Sequence, residues 1–469
     1  MRAYFIGIGG IGMSSLAQYL KAQKWVVSGS DAVRQPILAK LKKVGIRAKI
    51  SPQKASLPRG LDLVVISQAI PADNPELKAA RRRGIRVLTY PEAITELTEE
   101  YRTVAVAGAH GKSTTTALAA LAMMRGGMDP TVIVGAAIPE FGDRNFRAGG
   151  LRGGWLALEA DEFGNAFARY SPFAAVVTNI DREHLDVFGN LAGVKKAFLG
   201  FMGNIRSGGF LILNGDDPHL RALRPKIAIL AKRKGAKVVW YSAKGAAARK
   251  IRRAIKIPGA HNVSNAAAVL ALGRALGIPE KKTLAAIGSY RGARRRMEYR
   301  GMIGGRNGAP VYDDYGHHPA EIRATLSAFR EKYPRKRILC VFQPHQIKRL
   351  NALFGDFMTA FAGADAVLIL PVYKVNGRDG GGSGRGDRAR DSEALARAIQ
   401  RREPSKRLFY LADARALGPA IRTLAAPLSE WVIVMMGAGD IFELTGNLLF
   451  AAARTAGYHG ANPRYVRRI

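Results

Sequence analysis

The sequence is poor in cysteine, in acid and in long apolar runs. Cys340 is its only cysteine, so no intrachain disulfide can form, and no CxxC or Cys/His cluster is present to hold structural zinc. That usage fits a reducing compartment, and a cytoplasmic protein is expected. The most apolar windows, Ala117–Met124 and Ala366–Tyr373, fall far short of the ~20 residues needed to cross a bilayer. The run after Met1-Arg2 imitates a signal peptide, but Gly7, Gly9, Gly10 and Gly12 suit the helix of an h-region poorly. No short repeat appears, which argues against a solenoid. Acid is scarce relative to base: 73 Lys+Arg against 36 Asp+Glu leave a net charge of +37. This balance excludes a generic acidic soluble enzyme and favours anionic partners, whether nucleic acid, membrane surface or phosphorylated small molecules.

What is present in quantity is apolar material for several cores. A chain of 469 residues, 48% apolar, points to three domains of ordinary size, at about 100–200 residues each. Short Val- and Ile-rich runs alternate with longer stretches of helical period, the pattern of parallel α/β units. The first set of expected strands is Tyr4–Gly10, Trp25–Asp31, Leu61–Ser67 and Arg86–Tyr90. A second set is Thr103–Ala107, Leu156–Glu159, Phe173–Ile180, Phe210–Asn214 and Val238–Ser242, and a third is Arg337–Phe342, Ala366–Leu370, Leu408–Ala412 and Trp431–Met436. Three α/β domains follow, over residues 1–98, 99–293 and 294–469. Asn376–Arg390, mostly glycine and charge, cannot bury a face and reads as poorly ordered, either a mobile substrate-covering loop or, the plainer reading, a tolerated surface insertion.

Two glycine loops carry chemistry. In the first, strand Tyr4–Ile8 runs into Gly7-Ile8-Gly9-Gly10-Ile11-Gly12, and a helix starts near Met13-Ser14. Glycines let the backbone approach a diphosphate, and the helix start offers N–H groups to it. Asp31, about 20 residues on, stands where an acid takes ribose hydroxyls. A tight packing turn would use the same glycines, and which nucleotide is bound stays open at this point.

In the second, strand Thr103–Ala107 leads to Gly108-Ala109-His110-Gly111-Lys112-Ser113-Thr114, and a helix continues through Met124. This is a compact P-loop, with Val106 where the first glycine of the longer motif belongs. Backbone N–H groups would cradle the β- and γ-phosphates, Lys112 would neutralise them, and the Ser113 hydroxyl would hold Mg²⁺. Further ligands should lie at neighbouring strand ends. Glu159, Asp161 and Glu162 end one strand and His184 follows the next, although a solvated acidic loop and an ordinary loop histidine are the bland readings.

GIGGIGMS at 7–14, GAHGKSTTT at 108–116, EADE at 159–162 and NIDREHLD at 179–186 are followed by PGAHNVSNA at 258–266, RRRME at 294–298, YDDYGHHP at 312–319 and FQPHQIKR at 342–349. Together, in this order, they resemble the Mur ligases of peptidoglycan synthesis over nearly the whole chain. The resemblance implies an α/β protein of three domains: an N-terminal Rossmann-like domain for the UDP-sugar, a central P-loop ATPase-type domain with a parallel-rich sheet, and a C-terminal Rossmann-like domain for the amino acid. It implies ATP and Mg²⁺ as cofactors, and it lies nearest the branch that joins L-alanine to the lactoyl carboxylate of UDP-N-acetylmuramate.

Residue by residue, it assigns Gly7, Gly9, Gly10, Ile11, Gly12, Met13 and Ser14, with Ser30 and Asp31, to the UDP-sugar. Gly108, Ala109, His110, Gly111, Lys112, Ser113 and Thr114 fall to ATP, with His261, Asn262 and Asn265 bordering adenine. Arg296 reaches phosphate and Asp314 the ribose. Ser113, Glu159 and His184 hold the metal, while Tyr315, His317 and Arg349 line the alanine site. Catalysis is expected of Lys112, His184 and Arg296, with His317 a candidate base by residue type. A structural histidine at a helix start is the other reading of His317. Gln346 stands where many members have arginine, removing one expected contact to an amino-acid carboxylate.

Two other readings compete. A recycling branch of the same family attaches a murein peptide to the same UDP-sugar. Alternatively, the basic runs Arg81–Arg83, Lys232–Lys237, Arg249–Lys256 and Arg294–Arg296 could serve a nucleic-acid-binding protein with a vestigial nucleotide site. They are scattered through all three domains and lack interleaved aromatics, so small-molecule substrates, no nucleic acid, no membrane, and a monomer or homodimer are expected.

Overall fold

The computed structural model describes residues 1–50, 57–150, 153–374, 391–454 and 466–468. The expected surface insertion at 376–390 lies outside these residues. Strands form where Val and Ile cluster, and they stop where glycine or a polar side chain takes over.

β1 (Arg2–Ile6), β2 (Val26–Asp31), β3 (Arg47–Ile50), β4 (Leu63–Ile66) and β5 (Arg86–Thr89) make the first sheet. It is parallel throughout, in the order β3-β2-β1-β4-β5. The order reverses between β1 and β4, and such a switch point opens a crevice at the carboxyl ends of the strands. β1 stops at Ile6 rather than running to Gly10, because Gly7 turns at φ +82°. β3 went unanticipated because its sequence, RAKI, is a charged and largely exposed edge with no apolar run.

The second sheet contains β6 (Arg102–Ala107), β7 (Thr131–Ile138), β8 (Arg144–Arg147), β9 (Trp155–Glu159), β10 (Ala174–Val177), β11 (Phe210–Asn214) and β12 (Lys237–Tyr241). Its order is β12-β11-β10-β6-β9-β7-β8, antiparallel only at the β7–β8 edge. β6 is central: Val104 and Val106 enter one core cluster, while Ala105 and Ala107 enter another. A strand covered on both faces reads as an unbroken apolar run, which made it visible in the sequence. The β7–β8 hairpin was not, because Gly135 interrupts one strand and charge dominates the other.

The third sheet contains β13 (Glu298–Ile303), β14 (Ala309–Asp314), β15 (Arg337–Phe342), β16 (Ala366–Ile369), β17 (Arg407–Leu411), β18 (Trp431–Met436) and β19 (Val466–Arg468). It runs β13-β14-β18-β15-β16-β17-β19, with antiparallel pairs at both edges. Each sheet is parallel-rich and interleaved with helices, so the three-domain α/β class holds.

Two compact units divide the chain: Met1–Ile257 with His261–Ala293, and Pro258–Ala260 with Arg294–Ile469. The first two sheets share the first unit, because one core cluster joins Phe5, Leu16 and Tyr19 to Leu158, Phe167 and Val177. Among the described residues no helix is long and apolar enough to cross a membrane.

Candidate nucleotide and ligation site

The first glycine loop is built by close approach. A Cβ on Gly9 would lie 2.7 Å from Asp31 Oδ2, and one on Gly12 would lie 2.7 Å from Tyr90 Cζ. The helix Ile11–Ala22 then begins at Gly10 with no side-chain cap, so its first-turn N–H groups, on Ile11, Gly12 and Met13, remain for an anion. Ser14 Oγ turns inward and donates to the Ile11 carbonyl at 2.8 Å. Asp31 is engaged by the loop itself: its Oδ2 accepts from the Gly9 N–H at 2.7 Å. Ser30 is buried beneath the loop, where its hydroxyl donates to the Glu76 carboxylate. Asp31, expected at a ribose, and Ser30, expected at the UDP-sugar, therefore shape the turn from within.

The second loop follows β6 and feeds the helix Lys112–Arg125. Gly108 and Gly111 both take positive φ, +143° and +83°. A Cβ on Gly111 would sit 2.4 Å from Asn265 Oδ1, which brings the helix Ala260–Ala275 onto the loop. Asn262 and Asn265, three residues apart on that helix, are both buried, and His261 beside them is half-buried. Asn179, just beyond β10, holds the turn from the other side. Its Oδ1 accepts from the His110 N–H at 2.8 Å, and its Nδ2 donates to the His110 carbonyl at 3.0 Å. Thr178 Oγ1 donates to the same carbonyl at 2.6 Å. The His110 ring reaches Asp181 at 3.1 Å.

Lys112 Nζ donates to the Gly108 carbonyl at 2.8 Å and to both Glu162 oxygens at 3.0 and 2.8 Å. Burial alone would push this ammonium down, but the Glu162 and Asp161 carboxylates more than compensate and hold it protonated. Glu162 is 1% exposed, and burial lifts its carboxyl to about 7 against the opposing pull of Lys112. Ser113 Oγ donates to Glu159 Oε1 at 3.0 Å, and the Gly135 N–H of β7 donates to Glu159 Oε2 at 2.6 Å. Burial also raises the Glu159 carboxyl.

Of the three expected metal ligands, Ser113 and Glu159 are in direct contact. The Nε2 of His184 is 3.8 Å from Glu162 Oε1, and its ring meets the Phe163 ring edge-on at 5.3 Å. Asp161, Glu162 and His184 bring ligand atoms within 4.8 Å of one another. Two adjoining groups rich in carboxylate and hydroxyl oxygen suit a hard divalent cation such as Mg²⁺.

In the second unit, β14 ends in Asp313-Asp314. Asp314 is buried: Oδ2 accepts from the Met297 N–H, and Oδ1 accepts from the Gly316 N–H, both at 2.9 Å. It thus organises the turn bearing Arg296, where Arg295 and Met297 both take positive φ. Arg296 reaches Glu321 at 3.3 Å and lies over the Tyr315 ring at 5.1 Å. His317 Nδ1 is 3.1 Å from the Tyr315 carbonyl, a contact that makes Nδ1 the protonated nitrogen. The helix Pro319–Lys332 is capped by His318 with Glu321, not by His317. Arg349 meets His345 at 3.2 Å, and the His345 ring stacks on Tyr373. Glu162, Asn179, Glu321, His345 and Tyr373 were not singled out for these contacts. Of these, Tyr373 and Glu321 fell outside every motif.

The sequence matches three family descriptions in succession: "Mur ligase family, catalytic domain" over residues 2–102, "Mur ligase middle domain" over 106–273, and "Mur ligase, glutamate ligase domain" over 295–439. It is 35% identical to the UDP-N-acetylmuramate–L-alanine ligase of Desulfosudis oleivorans, over 96% of this chain and 98% of the relative. It is 38% identical to the enzyme of the same name from a Bradyrhizobium species, over 94% and 95%. The crystal structure of the UDP-N-acetylmuramate–alanine ligase MurC from Thermotoga maritima superposes with a TM-score of 0.76 at 26% identity, covering 97% of this chain and all of that one.

Proposed function

The chain belongs to the Mur ligase family, and on that footing we propose that it joins L-alanine to the lactoyl carboxylate of UDP-N-acetylmuramate, driven by ATP. The observation that carries this reading is the second glycine loop, where Lys112, Ser113, Glu159 and Glu162 converge. Names and near-complete coverage of the relatives support the choice of substrates.

In this reading Lys112 leaves Glu162 for the γ-phosphate, and Glu162 takes up a proton or a cation in exchange. The loop N–H groups and Arg296 share the remaining charge, so carboxylate and triphosphate can approach each other. Ser113 and Glu159, with Asp161, Glu162 and His184 beside them, are the groups that would hold Mg²⁺. The ion, when bound, supplies charge compensation on the phosphates. A lactoyl oxygen attacks the γ-phosphorus and ADP departs, leaving an acyl phosphate. The alanine amine then attacks the acyl carbon, gives up a proton, and inorganic phosphate leaves. His317 takes that proton on Nε2, because Nδ1 is committed to the Tyr315 carbonyl. The domains over 1–98, 99–293 and 294–469 divide the labour as UDP-sugar, ATP and amino-acid carriers. The test is phosphate release by the purified chain. It should require ATP, Mg²⁺, UDP-N-acetylmuramate and L-alanine together, and release that ignores alanine would refute the assignment.

A further inference from the structure

Asn145 lies on β8 of the second sheet, yet its polar groups serve the helix that follows the first glycine loop. Its Nδ2 donates to the Ile11 carbonyl at 2.7 Å and to Ser14 Oγ at 3.0 Å. Its Oδ1 accepts from Gln18 Nε2 at 3.0 Å, and its main-chain carbonyl accepts from Ser15 Oγ at 3.1 Å. Residues 11, 14, 15 and 18 are one face of a helix, so a single residue grips that face over two turns. Asn145 is 1% exposed, and a buried amide with all its groups matched has one orientation only.

The same hairpin reaches the other glycine loop. β8 pairs with β7 through Val132↔Arg147 and Ile133↔Phe146. Further along β7, the Gly135 N–H donates to Glu159, which accepts from Ser113 of the P-loop. One two-stranded element is therefore bonded at β8 to the helix that follows the first glycine loop and linked at β7, through Glu159, to Ser113 of the second.

We infer that Asn145 is a positioning residue of the ligation reaction: it fixes the helix start that receives the UDP diphosphate relative to the P-loop, and so sets where the lactoyl carboxylate meets the γ-phosphate. This rests on the reading of Gly7 to Ser14 as the UDP-sugar site. An amide that merely glued two layers together would, when removed, lower stability without singling out one substrate.

The experiment compares the full-length wild type with Asn145→Ala, Asn145→Asp and Gln18→Met. It records KM for UDP-N-acetylmuramate, KM for ATP, kcat, and the Kd of UDP alone by calorimetry. Asn145→Ala should raise the UDP-sugar KM and the UDP Kd by about tenfold, the worth of one or two hydrogen bonds, while KM for ATP moves less than about twofold. Asn145→Asp keeps the acceptor for Gln18 but sets an oxygen against the Ile11 carbonyl, and should match it. Gln18→Met leaves Asn145 Nδ2 on the helix but removes the bonds from Gln18 to Asn145 Oδ1 and to the Ser14 carbonyl; it should give about a threefold rise, which preserves the test should the Asn145 variants fail to fold. An unchanged UDP-sugar KM in a folded variant, or an equal rise in the ATP KM, overturns the inference. Wild type that binds no UDP overturns the site reading and this inference with it.

Discussion

Replacing Lys112 by methionine keeps the length of the side chain and deletes its charge, and the consequences for activity and stability separate. An ammonium about 4 Å from a phosphate charge, at the effective dielectric of a partly buried site, is worth on the order of 4 kcal/mol. Loss of most of that from the transition state should cost about 10²–10³-fold in kcat/KM for ATP. Stability behaves differently because Lys112 now neutralises Glu162 at 2.8 Å. Breaking a buried pair can cost about 3–5 kcal/mol, but a carboxyl already lifted to about 7 can take up a proton instead.

The sign follows from the raised value. An acid whose folded pKa lies above its unfolded one favours the fold fully below the unfolded pKa, and that benefit fades as pH rises through the folded one. Without Lys112 the folded value climbs further, so the fading extends to higher pH at about 1.4 kcal/mol per unit. Melting of wild type and Lys112→Met should therefore nearly coincide at pH 6 and diverge by several degrees at pH 8.5, the mutant being lower. A gap that is constant with pH, or phosphate release that survives the substitution, would refute the reasoning.

Gly111→Ala must take φ +83° and place a methyl 2.4 Å from Asn265 Oδ1. ATP KM should rise at least about tenfold, since strain of roughly 1–3 kcal/mol falls on the phosphate loop, and nucleotide titration checks it. Asp314→Ala strips the Met297 and Gly316 N–H groups of their acceptor, which should cost about 2–4 kcal/mol in urea unfolding and lower kcat through a loosened Arg296. Cys340 is fully buried and burial raises its thiol. A thiol reagent should find none in the native protein and one per chain in denaturant.

Strands covered on both faces, such as β6 and β18, were legible because burial leaves a continuous apolar run. β3, β8 and β13 were not, since edge strands carry charge and show no period. β14 hid behind Pro310 and two aspartates, although every residue in it is buried, because its polar end shapes the site. The two glycine loops were legible for a similar reason: no other residue fits where Gly9 meets Asp31 or Gly111 meets Asn265. Asn145 carried no signal, since one asparagine in a short strand acquires meaning only from a helix over 100 residues away. The basic runs have a local account in the helices that carry them. Arg81-Arg82, Lys232 to Lys234, and Arg252-Arg253 occupy the last turns of their helices, where cations complement the helix dipole whatever the protein binds.

The central claim is that the two glycine loops serve one ligation, and a single product measurement tests it. The purified chain should be incubated with UDP-N-acetylmuramate, ATP, Mg²⁺ and isotopically labelled L-alanine, and the products resolved by mass spectrometry. The account predicts a UDP-sugar heavier by one alanyl residue, with ADP and phosphate formed in equal amount. ATP cleavage without label in the UDP-sugar would contradict it.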